Sequence, residues 1–371
     1  VERLSTPASR DSMAPRLSSV PGLAPLLSWV EPFADGHRLL YSRLGADGWG
    51  APAVAVTGTD WFVNWADTPG VTVAPDGTLW AHWLTRSGEA RYAYHAMVRS
   101  SEDGGATWTA PRRLHEDSSP TEHGFVSMAA HGNDLVAVWL DGRDTGAGGA
   151  MSLRARTLSV DGLGEESLID PRTCDCCSTS TASTPKGVIA AWRDRSEGEI
   201  RDVAVSRLER GAWEPPRVVS PDSWHMTGCP VNGPAVVSEG ESAVLVWYTG
   251  VSSEGAVRVA VSKDSGSSFL PAVLVSERTL GRVTAAPLPG GGAVVAWLEQ
   301  HADGESWLTA ARVDRDGVLG ERVRVAPMSA KRSSGMPAAI HEGAGVVLLT
   351  WTDVFGQNKR VRTARVGPFP R

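Results

Sequence analysis

No apolar run in this chain approaches the ~20 residues that a membrane-spanning helix needs, so no insertion into a bilayer is expected. No stretch holds a 3.6-residue apolar period for long enough to make a buried helix, which argues against a helical architecture. Charge of one sign is also missing. The net charge is −6 with acids and bases interspersed, which excludes a cationic nucleic-acid face and a polybasic membrane patch. Cysteine is scarce, with 4 copies in 371 residues, and so is tyrosine, also with 4. An initiator methionine and a signal peptide are absent from the first residues, so a trimmed, exported form is expected, secreted or periplasmic.

What is abundant is glycine (40), proline (24) and tryptophan (15), the composition of an all-β chain with many tight turns. The tryptophans carry a repeat. Trp29, Trp83, Trp139, Trp192, Trp247, Trp297 and Trp351 are spaced by 54, 56, 53, 55, 50 and 54 residues. Each ends or nearly ends an apolar run such as LVAVW, VIAAW or AVLVW, the pattern of a strand buried on both faces. One more apolar stretch before each run and two strands after it make four strands per repeat. That is one blade of a β-propeller. Seven blades are expected, or six if the unit from Pro25 to Val56 is an extension. Residues 15–371 form one domain, and residues 1–14 are either a loose tail or the strand that closes the ring.

Two turns between third and fourth strands add a resemblance. Ser101-Glu102-Asp103-Gly104-Gly105-Ala106-Thr107-Trp108 and Ser262-Lys263-Asp264-Ser265-Gly266-Ser267-Ser268-Phe269 resemble the Asp-box, S-x-D-x-G-x-x-[W/F], of the sialidase-like (BNR-repeat) propellers. In such a turn the aspartate bonds turn amides, glycine takes positive φ and the aromatic fills the space between blades. The motif is structural in that family. The resemblance therefore implies the scaffold, and an active sialidase would further need an arginine triad, a tyrosine nucleophile beside a glutamate, and an aspartate acid/base. The family's early F-R-I-P segment is absent; the first unit offers Arg16, Arg38 and Arg43. Tyr248, Glu299 and Asp141 are the residues that a glycosidase of this type would recruit.

In a four-stranded blade, the starts of first strands and the ends of second strands share one face. Four blade entries there are unusual: Trp61 to Asp67, Thr121 to Phe125, Thr173 to Cys177, and His225 to Pro234. All four cysteines fall in the last two. Thiolate with imidazole is the donor set for zinc or copper, so Cys174, Cys176, Cys229 and His123 are the expected ligands, with Cys177 and His225 as alternates. Disulfides between neighbouring blades, or inert buried thiols, are the competing readings. His37, His82, His95, His115 and His301 have no such company and are set aside.

Arg143, Arg193, Arg195, Arg201 and Arg282, with Glu122 and Asn232, gather at the same mouth and suggest a pocket for a small anionic ligand or glycan. The alternative is that they pair with Asp141, Asp194, Glu199 and Asp202 and stitch blades together. Three functions follow. The first is an exported propeller with a copper or zinc site, the second an exo-α-sialidase, and the third a non-catalytic glycan or protein binder that stacks sugars on Trp61, Trp65 and Trp224. A monomer is expected in each case.

Overall fold

The computed structural model describes residues 1–369. Among these residues the strands form seven antiparallel sheets, the blades of a seven-bladed propeller. The first unit is a full blade, built from Met13–Ser18, Leu26–Phe33, Gly36–Gly45 and Ala53–Gly58, so the count is seven rather than six. Blade 2 runs Gly70–Val73, Leu79–Arg86, Tyr94–Ser101 and Arg112–Arg113 from the axis outward. Blade 3 starts at His123–His131, blade 4 at Ser180–Thr184 and blade 5 at Ala235–Glu239. Blade 7 draws its outer strand from the other end of the chain. Glu2–Leu4 pairs Glu2 with Arg365 and Leu4 with Thr363. Ser12 then accepts the Val361 amide at 2.9 Å, so residues beyond the short strand are tied to the same blade.

The core lies between blades. Separate apolar clusters fill the interfaces, for example Val138, Leu153, Ala190 and Trp192 between blades 3 and 4. Six of the seven repeat tryptophans are fully buried, and Trp83 is 3% exposed. A buried indole N–H needs an acceptor, and this explains many of the acids around the tryptophan strands. Trp29 donates to Glu31 at 2.8 Å and Trp139 to Asp141 at 2.9 Å. Trp192 and Trp247 instead reach Asp170 and Asp222, at 2.9 and 2.7 Å, on the outer edge of the preceding blade. Those two bonds join adjacent blades. Trp139→Phe should therefore cost about 2 kcal/mol in urea unfolding by leaving a buried carboxylate short of a donor; a cost under about 0.5 kcal/mol would show that Arg143 alone satisfies Asp141.

Both aspartate turns close as hairpins. Asp103 accepts the Thr107 amide at 2.9 Å and Asp264 the Ser268 amide at 2.8 Å. Gly105 and Gly266 sit at φ +99° and +78°, where a side chain is strained. Trp108 meets Tyr41 of blade 1 edge to face at 6.2 Å, and Phe269 packs on the cluster between blades 4 and 5. These turns leave the opposite face to carry the polar residues.

Candidate metal centre at the channel mouth

The tract Thr173–Cys177 enters blade 4 beside the end of that blade's second strand, where the Cys174 amide donates to Arg193 O at 3.0 Å. The loop that enters blade 5 carries Cys229. The two loops touch through Gly233, where any Cβ would overlap the Ser178 carbonyl. As a result the sulfurs of Cys174, Cys176 and Cys177 all lie within 4.8 Å of one another, and Cys176 also lies within that distance of Cys229 Sγ and an Asp175 carboxylate oxygen. Cys174 Sγ stands 3.0 Å from Cys177 Sγ and 3.8 Å from Cys176 Sγ, and all four are free thiols.

Cys174 and Cys177 are buried, Cys176 is half-buried and Cys229 is exposed, so the set runs from the interior to solvent. The thiols do not ionise alike. Hydrogen-bond contacts with the Cys176 and Cys177 sulfurs, with Arg193 nearby, pull Cys174 well below the ordinary thiol range. Cys176 and Cys177 are pushed up, the first by its contacts with the other sulfurs and the second by burial. One thiolate is thus favoured, and further ionisation requires a cation to replace the protons.

His123 lies elsewhere. It groups with His95 and His115, two residues set aside on the sequence, and not with the cysteines. Its Nε2 is 3.1 Å from Asp117 Oδ2 and 3.7 Å from Asp141 Oδ1. His225 is exposed and outside both sulfur groups among the described residues. Burial and the two neighbouring rings hold His115 down at about 3, and burial likewise lowers His95. Both rings stay neutral.

The arginines are held by the protein itself. Arg193, 1% exposed, donates to three backbone carbonyls: Asn232 O at 2.8 Å, Arg201 O at 2.5 Å and Tyr248 O at 2.6 Å, and it lies over Trp224. Arg282 binds the Ala330 and Lys331 carbonyls and Ser334 Oγ, and burial lowers it to about 10. Arg143 forks onto Asp141 at 2.7 Å and reaches Glu166. Arg195 and Arg201 both bind Glu199, and each has a guanidinium nitrogen 3.8 Å from Asp175, beside the sulfurs. Asn232 accepts the Arg282 amide and donates to Leu280 O. Arg195 and Arg201 thus stand beside the thiols, while Arg193 and Arg282 spend their donors largely on backbone carbonyls.

The glycosidase set is also dispersed. Glu299 binds Arg322, Ser276 and Thr309, while Tyr248 packs on Trp224 and is raised by burial, with no bond to Glu299. Asp141 serves Trp139 and Arg143. Trp61 and Trp224 are buried, and Trp65 lies beneath Arg282 and Arg332.

A second polar group was not anticipated. Arg16, on the innermost strand of blade 1, donates to Thr68 Oγ1 and Val126 O at 3.1 and 3.0 Å. Next to it Asp67 accepts the Phe125 amide at 2.8 Å and is pushed up to about 6 by burial. The Tyr94 hydroxyl lies 2.9 Å from Asp67 and 2.6 Å from Glu122, whose carboxyl burial raises to about 8. One hydroxyl has one proton to donate, so both contacts are hydrogen bonds only when a carboxyl keeps its own proton. Tyr94 is 0% exposed. The FRIP pattern is a side-chain motif, and its absence hid the fact that an arginine still occupies the first inner strand.

The axial channel has two chambers. One of about 210 Å³ lies at the mouth near Ser178 and Gly233; a larger one of about 990 Å³ opens at the far end, past Arg16. The larger lies away from the thiols and imidazoles, so volume and chemistry do not coincide here.

Solved structures of low sequence identity share this β-propeller architecture. A protein of unknown function from Dyadobacter fermentans superposes with a TM-score of 0.59 at 11% identity, over 98% of this chain and 97% of its own. The phage phi92 endosialidase gives 0.55 at 8% identity, over 100% of this chain and 69% of its own. The Trypanosoma rangeli sialidase gives 0.51 at 13%, and this chain covers 60% of it. At such identities the likeness is one of fold. No family model and no curated protein matches the sequence.

Proposed function

We propose that this protein is a sialidase-like propeller that binds a soft transition metal, copper(I) or zinc(II), through Cys174, Cys176, Cys177 and Cys229. The observation that carries this reading is the convergence of all four cysteines from two blades, with Cys176 shared between the inner trio and the outer Asp175–Cys229 edge. Thiolates select copper(I) and zinc over harder ions, and a site spread over two packed blades fixes its geometry. Arg193 and Arg201 supply positive charge beside accumulating thiolates, a role that needs no outside anion.

Elemental analysis of tag-free protein purified without chelator tests the reading. A stoichiometric metal content that is lost in Cys174→Ser and Cys176→Ser supports it. Full thiol labelling only after reduction would instead assign the cysteines to disulfides, and turnover of a fluorogenic sialoside that disappears in Tyr248→Phe would favour the hydrolase.

A further inference from the structure

A cluster of imidazoles outside the thiol set lies at the seam between blades 2 and 3. His95 lies at the start of the third strand of blade 2, paired with Thr85, and His123 opens the first strand of blade 3. His115 belongs to the connection between them, and the Leu114 amide holds that connection on blade 2 through Ala96 O at 2.8 Å. The Tyr94 amide donates to Thr121 O at 3.1 Å and fixes the other end. Three segments thus bring three imidazoles together, with ligand nitrogens all within 4.8 Å of one another. The His115 and His123 rings stack at 3.7 Å, and the His95 ring lies 4.9 and 5.6 Å from them.

The nitrogens are what make this a site. His115 is 2% exposed and His123 is 0% exposed. Among the described residues His95 Nδ1, both nitrogens of His115, and His123 Nε2 lack a hydrogen-bond partner. Buried polar atoms in a native interior are ordinarily satisfied. On His123 the other nitrogen is engaged, with Nδ1 3.1 Å from Thr121 O and 3.3 Å from Tyr94 O. Carbonyls accept only from N–H, so Nδ1 carries a proton, while Nε2 is left without an aligned partner. A backbone carbonyl on the far nitrogen is the usual support of a metal-ligating histidine. That Nε2 faces Asp117 Oδ2 at 3.1 Å, without the alignment of a hydrogen bond. Asp117 is itself oriented by the Ser119 amide at 3.0 Å and is partly open to solvent, which gives an ion a way in.

We propose that His95, His115, His123 and Asp117 form a second metal site for a divalent first-row transition ion, zinc(II) above all. Three imidazoles and one carboxylate give a four-ligand set of nitrogen and oxygen donors, harder than the thiol set and suited to zinc(II). The site does not rest on the thiol reading, since no residue is shared.

Cobalt(II) titration of the full chain tests it, because nitrogen and oxygen ligation gives visible d–d absorption while sulfur ligation adds charge-transfer absorption in the near ultraviolet. The expected result is a saturable d–d band, at one equivalent, that zinc(II) displaces and that persists in Cys229→Ser. His115→Ala should abolish it, His95→Gln should weaken binding at least about tenfold, and Asp117→Asn about ten- to hundredfold. His95 is half-buried, so His95→Gln keeps the test decisive if His115→Ala fails to fold. An unchanged titration in His95→Gln, or only sulfur charge transfer in the wild type, would overturn the proposal. Absence of a sulfur band in the wild type would instead count against the thiol site.

Discussion

Arg193→Met should cost about 4 kcal/mol, among the largest losses that a single substitution in this fold can cause. Methionine fills much of the space but donates nothing. Three carbonyls, on Asn232, Arg201 and Tyr248, would be left buried without their donors, each at a cost of about 1–3 kcal/mol before relaxation. They belong to the entry of blade 5, the segment just before the third strand of blade 4 and the second strand of blade 5, so the loss loosens one seam of the ring. Arg193→Lys should recover little, because an ammonium on a flexible stem cannot reproduce a planar fork. Urea unfolding gives the answer. A midpoint shift equivalent to less than about 1 kcal/mol in Arg193→Met would mean that the guanidinium is not a structural tie and is free for a ligand.

Stability should also fall as pH rises through the mildly acidic range, and Asp67 should account for much of the fall. Unfolded, its carboxyl titrates near the ordinary value of 3.8; folded, burial holds it up to about 6. Between those values the folded protein keeps a proton that the unfolded chain has lost. The stabilisation is complete below about pH 4 and gone above about pH 7, a loss of about 3 kcal/mol for a shift of this size. Glu122 faces the same Tyr94 hydroxyl and is shifted in the same direction, while Arg16 opposes the shift of Asp67. Asp67→Asn should remove this part of the slope, with the amide still accepting from Phe125. The quantity to compare is the change in unfolding free energy between pH 4.5 and pH 7 in variant and wild type. Parallel slopes would show that Asp67 titrates normally in the fold.

The propeller was legible because its signal is repeated. Seven buried tryptophan strands at one period outweigh any local ambiguity, and strand alternation with turn glycines supplies the rest. The gathering of the cysteines was legible for a related reason: two consecutive blade entries must be neighbours. His123 shows the limit. Its place at a blade entry was readable, but its ring points to the seam with blade 2, where His95 starts a third strand and His115 sits in an outer connection. The start of a third strand lies on the same face as a blade entry, so His95 could have been found by counting strands. Nothing in the residues around His115 marks how far inward its connection folds. The arginines' partners were hidden for a different reason. Carboxylates close in sequence drew attention to ion pairs, whereas Arg193 and Arg282 spend their donors on backbone carbonyls, which leave no trace in side-chain identity.

Blade 7 borrows its last strand from residues 2–4, and this bears on how the molecule is made. Those residues leave the ribosome more than 350 positions before their partners at Thr363–Arg365. Six blades can stack in order as they emerge, yet blade 1 must wait with one flank uncovered until the final strands arrive. Throughout that interval exposed apolar surface and unpaired strand edges invite contact with other nascent chains. Yield in a host should therefore depend on what shields that flank during translation, even though the finished ring covers it.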